Sequence, residues 1–382
     1  MRFGSRVSIA ALALVGSTSA YCAGTFVYVS NQDDADISTY TLQTEGGGRL
    51  IPGERVPAGK LVMPLASTSD ARFLYASVRT KPYSVLAYRI DASTGGLRWI
   101  GTTPLPENMV TISIDRSNRW LLGTSYATNE LSVNAIGADG RIDPTPAQFV
   151  SSGGGKPHSI KLDRDNRFAY VAHMSPSELT CYGFDPSTGQ LDIKKATSAK
   201  DESRNGARHF VFSQDGGFVY LLGELTGVVM VYTRDKETGA LKEIQKISSL
   251  PADSNLVKGV PRVVTGTPGE EPFDPAKVIW AADIQMTPDG RFVYTTERTR
   301  STLTHFSIDP QTGLLKLIGH LQTEKQPRAI AIDPSGQFLI ASGQLSDKLS
   351  LYAIDRSTGA LTLRERVPAG KGANWVQIVQ TH

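Results

Sequence analysis

A repeat of seven similar units constrains this chain more than any other feature of its sequence. Each unit has an aromatic residue that opens a β-rich run, and successive aromatics are 47, 47, 48, 50, 74 and 46 residues apart. These landmark aromatics are Phe26, Phe73, Trp120, Phe168, Phe218, Phe292 and Phe338. Self-similarity at a period of about 40 to 50 residues is typical of solenoids and propellers, and it argues against several unrelated domains.

A recurring turn of the form Asp-x-x-Thr-Gly-x-Leu is the second sign of the repeat. Five clear copies run over Asp91–Leu97, Asp185–Leu191, Asp235–Leu241, Asp309–Leu315 and Asp355–Leu361. The aspartate side chain can cap such a turn and the glycine supplies a positive φ angle, so this composition indicates a hairpin between two strands. With the other turn signals, each unit reads as four short strands, for example Leu65–Ser67, Phe73–Val78, Val85–Ile90 and Leu97–Thr102.

Four strands per unit and seven units predict an all-β chain that folds as a seven-bladed β-propeller with four-stranded blades. The first unit starts at its second strand, Thr25 to Ser30, and the sequence ends with an unpaired first strand, Trp375 to Gln380. We therefore expect the C-terminal strand to complete the N-terminal blade, which closes the ring without a free edge. One domain spans residues 24–382, and an insertion at about 251–278 is interpreted as a lid or specificity loop over one mouth of the channel.

The N-terminus has the three parts of a secretory signal peptide. Arg2 and Arg6 precede an apolar run, Val7 to Gly16, and small residues follow up to Ala20. This run is shorter than the about 20 apolar residues that a membrane-spanning helix needs. We predict a signal peptide at residues 1–20, with cleavage possibly as late as residue 23, and a periplasmic or secreted mature protein.

Charge and cysteine content narrow the range of partners. The formal net charge is +3, or +1 after removal of the two signal-peptide arginines, and acidic and basic residues are interspersed. This pattern does not favour nucleic acid or an anionic membrane as a partner. With two cysteines there is no disulfide framework. We expect a monomer that needs no cofactor and no metal.

Propeller geometry predicts which residues share one mouth of the central channel. In each blade the innermost strand starts where the antiparallel second strand ends, so residues ten before and six after each landmark aromatic should lie on one rim. The first set consists of Met63, Val110, His158, Arg208, Ala282 and Arg328. The second set consists of Gln32, Arg79, Tyr126, Met174, Glu224, Arg298 and Gln344.

This rim contains four arginines and a histidine but a single carboxylate, Glu224. Four guanidinium groups around one axis repel one another unless a negative group offsets them, which predicts an anionic ligand with a carboxylate or phosphate. Strand alternation places His209 on the opposite face from its neighbour Arg208, and we expect it to pack between blades.

Short sequence blocks around the rim positions resemble the propeller-type lactonases. The blocks are Lys156–Ile160, Gly206–Phe212, Gly223–Leu225, Trp280–Ile284, Met286–Arg291, Thr296–Thr299 and Gln326–Arg328. That family includes bacterial 6-phosphogluconolactonase and is similar to the fungal enzyme that interconverts carboxymuconate and its lactone. The resemblance implies a catalytic histidine at His158, arginines at Arg208 and Arg298, and a glutamate at Glu224.

The resemblance implies hydrolysis of a sugar-acid lactone. The insertion and the signal peptide depart from the cytoplasmic phosphogluconolactonases, and they favour an unphosphorylated aldonolactone or another acidic lactone. His158 is the predicted general base because its ordinary pKa of about 6.5 lies near working pH. Glu224 orients it or pairs with its charge, and Arg208 or Arg298 holds the oxyanion. The predicted substrate-binding residues are Arg79, Tyr126, Asp283, Arg328 and Gln344.

Two other functions remain open at this point. A non-catalytic propeller could bind protein partners or an acidic ligand in the cell envelope. A metal-dependent lactonase of the calcium propeller type needs acidic and amide ligands that converge on the axis. With one carboxylate on the rim, the sequence favours this last possibility least.

Overall fold

The computed structural model describes residues 1, 24–261, 274 and 276–381. The predicted signal peptide lies outside the described residues except for Met1, and so does part of the insertion. The regular secondary structure of the described chain is all β-strand apart from one short 3-10 turn at Glu45–Gly47. The strands are β1 (Thr25–Asn31), β2 (Asp36–Gln43), β3 (Arg49–Pro57), β4 (Val62–Ser67), β5 (Phe73–Val78), β6 (Ser84–Ile90), β7 (Leu97–Pro104), β8 (Met109–Ile114), β9 (Trp120–Ser125), β10 (Glu130–Ala135), β11 (Gln148–Ser151), β12 (Pro157–Leu162), β13 (Phe168–His173), β14 (Glu178–Asp185), β15 (Gln190–Lys200), β16 (Ala207–Phe212), β17 (Phe218–Gly223), β18 (Val228–Arg234), β19 (Leu241–Ser248), β20 (Ala281–Met286), β21 (Phe292–Glu297), β22 (Thr302–Ile308), β23 (Leu315–Gln322), β24 (Pro327–Ile332), β25 (Phe338–Gly343), β26 (Lys348–Ile354), β27 (Leu361–Pro368) and β28 (Ala373–Gln380).

The strands form seven antiparallel sheets of four strands, which confirms the predicted propeller. Six blades use four consecutive strands, and the remaining blade has the order β28-β1-β2-β3. Phe26 pairs with Val379 in that blade, so the last strand closes the ring as expected. The seven innermost strands (β28, β4, β8, β12, β16, β20 and β24) contact one another in sequence around the channel. Every landmark aromatic lies at the first or second residue of a second strand.

The hydrophobic core is divided into seven clusters, each between two adjacent blades. Middle strands such as Phe73–Val78 are buried along their whole length, because both faces of each blade are covered by neighbours. This explains why the inner strands read as continuous apolar runs instead of alternating ones. Burial of apolar surface therefore joins the blades laterally and leaves the channel to polar side chains.

Tyrosine hydroxyls two residues after the landmark aromatics connect one blade to a turn of the next. The hydroxyls of five buried tyrosines donate to glycine carbonyls in the adjacent blade. These pairs are Tyr28 with Gly95, Tyr75 with Gly140, Tyr170 with Gly239, Tyr220 with Gly313, and Tyr294 with Gly359. In each pair the landmark aromatic two residues before the tyrosine lies against the same glycine, so the aromatic and the turn meet in one contact between blades.

We expect Tyr220→Phe to lower the free energy of unfolding by about 1 kcal/mol, because it leaves the buried Gly313 carbonyl without its donor. Tyr232→Phe is the matched control, since the Tyr232 hydroxyl is buried and has no hydrogen-bond partner within the part of the chain that the structure describes. Its removal should be neutral or slightly stabilising. Urea denaturation of both variants measures the difference, and equal losses would contradict the assigned role of the hydroxyl.

Candidate active site

The β-ladder between the first and second strands of a blade is interrupted near the start of the innermost strand. This interruption determines the direction in which the rim side chains point. In β16, Ala207 pairs with Gly223 and Phe210 with Leu221, so Arg208 and His209 together face one residue of β17. Such a bulge breaks the alternation of side chains. His209 consequently lines the central channel, and the expectation that it packs between blades is wrong.

The same irregularity recurs at one position around the axis. Register shifts fall on or beside Met63, Val110, His158, Arg208, Ala282 and Arg328, the first rim set predicted from spacing. The seventh blade contributes Asn374, which lies in the register shift of β28. Spacing from the landmark aromatic misses this residue because its strand lies at the other end of the chain. Counting cyclically, from the C-terminal strand to Phe26, is the signal that identifies it.

Glu224 is the centre of a buried charge cluster at this mouth. Its Oε2 atom lies 2.5 Å from Arg208 Nε, 3.1 Å from Arg298 Nη2 and 4.0 Å from His158 Nε2. Its Oε1 atom accepts a hydrogen bond from Trp280 Nε1 at 3.2 Å. The exposed fractions are 5% for His158, 0% for Arg208, 4% for Glu224 and 4% for Arg298. The structure thus brings the four predicted catalytic residues together.

Trp280 is a component of the site that the sequence did not single out. The guanidinium of Arg298 lies over the indole ring, 3.6 Å from its centroid, and donates to the carbonyl oxygens of Trp280 and Ala281. Stacking on the indole and hydrogen bonds to fixed carbonyls hold the guanidinium plane in one orientation. Trp280 directly precedes β20 and belongs to the block Trp280–Ile284, which resembles the lactonases. Its position in that block was the sequence signal that could have identified it as a site residue.

Two further guanidinium groups keep hydrogen-bonding capacity for a ligand. Arg208 donates through Nη1 to the carbonyl of Ala282, while its buried Nη2 has no partner among the described residues. Arg328, with an exposed fraction of 6%, makes no hydrogen bond or ion pair within the described part of the chain. Burial lowers the pKa of Arg328 well below its usual range, and repulsion from Arg208 and Arg79 adds to this effect. Two buried cations of this kind favour the binding of an anionic ligand.

The insertion leaves and rejoins the fold beside this cluster. Val257 forms a bridge to Val278, and Gly259 N donates to the carbonyl of Leu225, the residue after Glu224. Arg300 donates through Nε and Nη2 to the Ser254 carbonyl. The described ends of the insertion therefore border the mouth that holds Glu224. Residues 262–273 and 275 lie outside the described residues, and the lid function stays a prediction.

Comparison with known families decides the assignment. A family model described as "Lactonase, 7-bladed beta-propeller" matches residues 22–378. The chain belongs to this family. The resemblance stated from the rim blocks is confirmed, and the family places the chain among carboxylic ester hydrolases.

Relatives of this lactonase-family chain align along nearly its whole length. The 6-phosphogluconolactonases of Serratia proteamaculans and Xenorhabdus nematophila are each 35% identical over 353 residues, which is 92% of this chain and 98% of each relative. Among solved structures, the periplasmic gluconolactonase of Pseudomonas aeruginosa has a TM-score of 0.79 at 22% identity and covers 94% of this chain and 99% of its own. A Lactobacillus plantarum protein has a TM-score of 0.78 at 23% identity, covering 94% and 100%. These two structures share the fold.

The predicted substrate-binding residues of this lactonase-family chain divide between the cluster and its surroundings. The Tyr126 ring meets the His158 ring edge to face at 6.0 Å. Arg79 donates to Asn108 Oδ1 at 2.5 Å, and burial lowers its pKa to about 10. Gln344 is half-buried and, among the described residues, only its backbone forms a hydrogen bond, to Gln326.

Asp283 lies apart from the Glu224 cluster, in the other half of the channel. It accepts a hydrogen bond from His209 Nδ1 at 2.9 Å. Both residues line a cavity of about 640 Å³ that extends to the far ends of the innermost strands and also includes Lys161 and Trp375. None of the four cluster residues lines this cavity, which we call the other compartment of the channel. His209 contacts His158 between the cavity and the cluster, with 5.2 Å between ring centroids.

The histidines of the channel are neutral near pH 7. Burial lowers the pKa of His158 well below its usual value near 6.5, and the positive charge of Arg208 lowers it further. The same two causes, in the same order, lower the pKa of His209. A neutral imidazole is the form that accepts a proton, and the Glu224 carboxylate oxygen 4.0 Å from His158 Nε2 favours the charged form once the proton is taken.

We expect the free energy of unfolding to fall as the pH drops below about 6.5. The folded pKa values of His158 and His209 are lowered, so below the unfolded pKa only the unfolded chain takes up these protons. Each unit of pH then costs about 1.4 kcal/mol for each histidine that stays neutral when folded. Urea denaturation from pH 7.5 to pH 5 tests this. The slope should be shallower in His158→Gln, and an unchanged slope would contradict the shift.

The described part of the chain has no group of three or more histidine, cysteine, aspartate or glutamate residues arranged to hold a metal ion. None of its helices is long and apolar enough to cross a membrane.

Proposed function

We propose that this chain hydrolyses the ring ester of a sugar-acid lactone that carries a negative charge. The observation that carries the proposal is a buried, neutral His158 beside a cluster in which, among the described residues, Arg208, Arg298 and Arg328 outnumber one carboxylate, Glu224. Its relatives named 6-phosphogluconolactonase support the choice of substrate class.

In the proposed reaction His158 Nε2 takes a proton from a water molecule, whose oxygen attacks the lactone carbonyl carbon. The partnerless Nη2 of Arg208 donates to the oxyanion that forms. Donors placed at this position are worth about 3 to 4 kcal/mol of transition-state stabilisation in well-studied enzymes. The tetrahedral intermediate then breaks its ring C–O bond, and the proton on His158 passes to the departing alkoxide. The product is a hydroxy acid.

Glu224 has an electrostatic and orienting part in this scheme. Its carboxylate fixes the guanidinium groups of Arg208 and Arg298 and faces His158 Nε2 at 4.0 Å, where it stabilises the imidazolium. Arg328 and Arg79 remain to bind the carboxylate or phosphate of the substrate, since neither is paired with a carboxylate among the described residues. An arginine fork suits both of these anions.

A pH-stat assay with purified mature protein tests the proposal. D-gluconolactone, 6-phosphogluconolactone and a muconolactone are compared with their spontaneous hydrolysis in the same buffer. The proposal predicts acceleration of 6-phosphogluconolactone, which carries a phosphate, or of the muconolactone, which carries a carboxylate, and a smaller effect on the neutral D-gluconolactone. Comparison of the two charged substrates identifies the anion that Arg328 and Arg79 accept. Rates equal to buffer for all three substrates would refute lactone hydrolysis and favour a non-catalytic binding propeller.

We also propose that the protein acts outside the cytoplasm. The support is the order of Arg2 and Arg6, the apolar run and the small residues up to Ala20. Fusion of residues 1–30 to a reporter that is active only after export tests this, with an Arg2→Glu, Arg6→Glu double variant as the control. An inactive wild-type fusion would contradict export, and N-terminal sequencing of the mature protein would locate the cleavage site.

A further inference from the structure

Two neighbouring imidazole rings in the channel each have a buried nitrogen without a hydrogen-bond partner. They are His158, at Nδ1, and His209, at Nε2, and both atoms lack a partner among the described residues. The ring centroids are 5.2 Å apart and the ring planes are inclined by 66°. A buried polar atom without a partner costs free energy, so a link between these two nitrogens, direct or through one water molecule, would satisfy both.

The orientation of His209 is fixed from its other side. Asp283 Oδ1 lies 2.9 Å from His209 Nδ1, and the same carboxylate accepts backbone hydrogen bonds from Ile284 and Ile330. A carboxylate held in this way accepts a hydrogen bond from His209 Nδ1–H. The neutral ring then has an unprotonated Nε2, which is an acceptor. The indole of Trp375 packs against the ring at a centroid distance of 5.8 Å and limits its rotation.

The charges around His209 favour this neutral form. The carboxylate in contact with His209 is that of Asp283. Four positively charged side chains disfavour a second proton on the ring, namely Arg208, Lys161, Arg328 and Arg298. The Lys161 ammonium lies on the same wall and donates to the carbonyl of Phe210. A second proton on His209 would face these cations in a buried setting. His209 therefore acts as an acceptor for a neighbour and does not replace His158 as the base.

We propose that His209 and Asp283 are positioning residues that act through His158, a role that rests on the proposed lactone hydrolysis. Through one bridging water molecule, His209 Nε2 accepts the hydrogen bond that originates at His158 Nδ1–H, and this link holds His158 in the tautomer whose Nε2 lone pair faces the Glu224 cluster. When His158 Nε2 takes the proton of the attacking water, the Asp283–His209 pair stabilises the imidazolium. The proton leaves from the same Nε2 to the ring alkoxide, so His209 and Asp283 gain no proton over the cycle.

Asp283→Asn and His209→Asn test the chain of hydrogen bonds by kinetics. An amide at position 283 can donate to His209 Nδ1, which reverses the tautomer and removes the acceptor for His158. We expect kcat to fall about 10- to 100-fold in both variants, because this is the usual effect of removing a group that orients a functional histidine. KM should stay within about 2-fold, since neither side chain lies at the substrate mouth. Gln377→Ala is the matched control, because Gln377 lines the same cavity without contact to His209 and should leave kcat unchanged.

Chemical rescue separates positioning from a purely structural role. The cavity of about 640 Å³ reaches His209 from the far mouth, so free imidazole can enter the space left by His209→Ala. The proposal predicts saturable recovery of kcat with imidazole and none with the larger N-benzylimidazole. Loss of kcat without recovery, together with a lowered melting temperature, would overturn it.

A spectroscopic measurement keeps this inference separate from the proposed reaction. The ¹⁵N chemical shifts of His158 in the wild-type protein should indicate protonated Nδ1 and unprotonated Nε2, and Asp283→Asn should change that distribution. If no lactone is hydrolysed but the shifts follow this pattern, the proposed function fails while the hydrogen-bonded pair stands. If lactones are hydrolysed and His158 keeps the same tautomer in Asp283→Asn with full kcat, the positioning role alone is refuted.

Discussion

Replacing His158 with glutamine is expected to lower kcat/KM for the preferred lactone by about 10²- to 10⁴-fold, the range that one general base contributes. Glutamine keeps a buried polar side chain of similar length but cannot accept and return a proton at working pH. The residue is 5% exposed and its ring meets Tyr126 and His209, so a polar replacement limits the disturbance of packing. Initial rates in the pH-stat, corrected for spontaneous opening, measure the effect.

The matched control for this variant is His320→Gln. His320 belongs to β23, the outermost strand of its blade, where its Nδ1 lies 2.9 Å from Thr304 Oγ1 and far from the channel. This substitution should leave kcat/KM unchanged. Circular dichroism and the urea midpoint check that both variants are folded. Full activity in folded His158→Gln would mean that another group accepts the proton, and the mechanism given for this cluster would be wrong.

Replacing Glu224 with glutamine is expected to lower the free energy of unfolding by about 3 to 5 kcal/mol, the usual cost of removing one partner of a buried ion pair. Arg208 is fully buried and Arg298 nearly so, and both lose their anionic partner. A neutral amide also leaves Arg328 among unbalanced cations. Activity should fall as well, because the guanidinium that receives the oxyanion is no longer held by the carboxylate.

Glu324→Gln is an informative comparison for this loss of stability. Glu324 is as buried as Glu224, but its partner Arg366 has an exposed fraction of 45%, so water can solvate that cation when the carboxylate is removed. The loss of stability should therefore be clearly smaller. The double variant Glu224→Gln, Arg208→Met should recover part of the loss of the single variant, since it removes a buried charge without a partner. Equal losses at Glu224 and Glu324 would contradict the account of the cluster.

Much of the fold was predictable because propeller repeats are local signals. The spacing of Phe26 to Phe338 and the Asp-x-x-Thr-Gly turns predict blade number, strand order and ring closure, since each unit repeats one set of strands. The same cyclic geometry identified His158, Arg208, Glu224 and Arg298 as neighbours although they come from different blades. Residues at equivalent positions of the blades lie around one axis, so their proximity can be predicted without knowledge of side-chain packing.

The remaining features depend on details that a period does not encode. His209 was misplaced because a bulge breaks the alternation at Arg208, and no residue pattern in β16 marks that bulge. Asp283, grouped from the sequence with the substrate-binding residues, contacts His209 in the other compartment because the bulge in β20 turns its side chain there. Trp280 became a site residue through packing against Arg298, which spacing cannot predict.

In the proposed reaction the lactone carbonyl is attacked at the mouth around Glu224. A crystal structure of His158→Gln soaked with the aldonate product of the preferred lactone would locate that position. We expect the new carboxylate within about 3 Å of Arg208 Nη2, with the second anionic group of the product, where it has one, on Arg328. An aldonate bound only in the cavity beside Asp283, or only on the outer surface of the blades, would contradict this expectation.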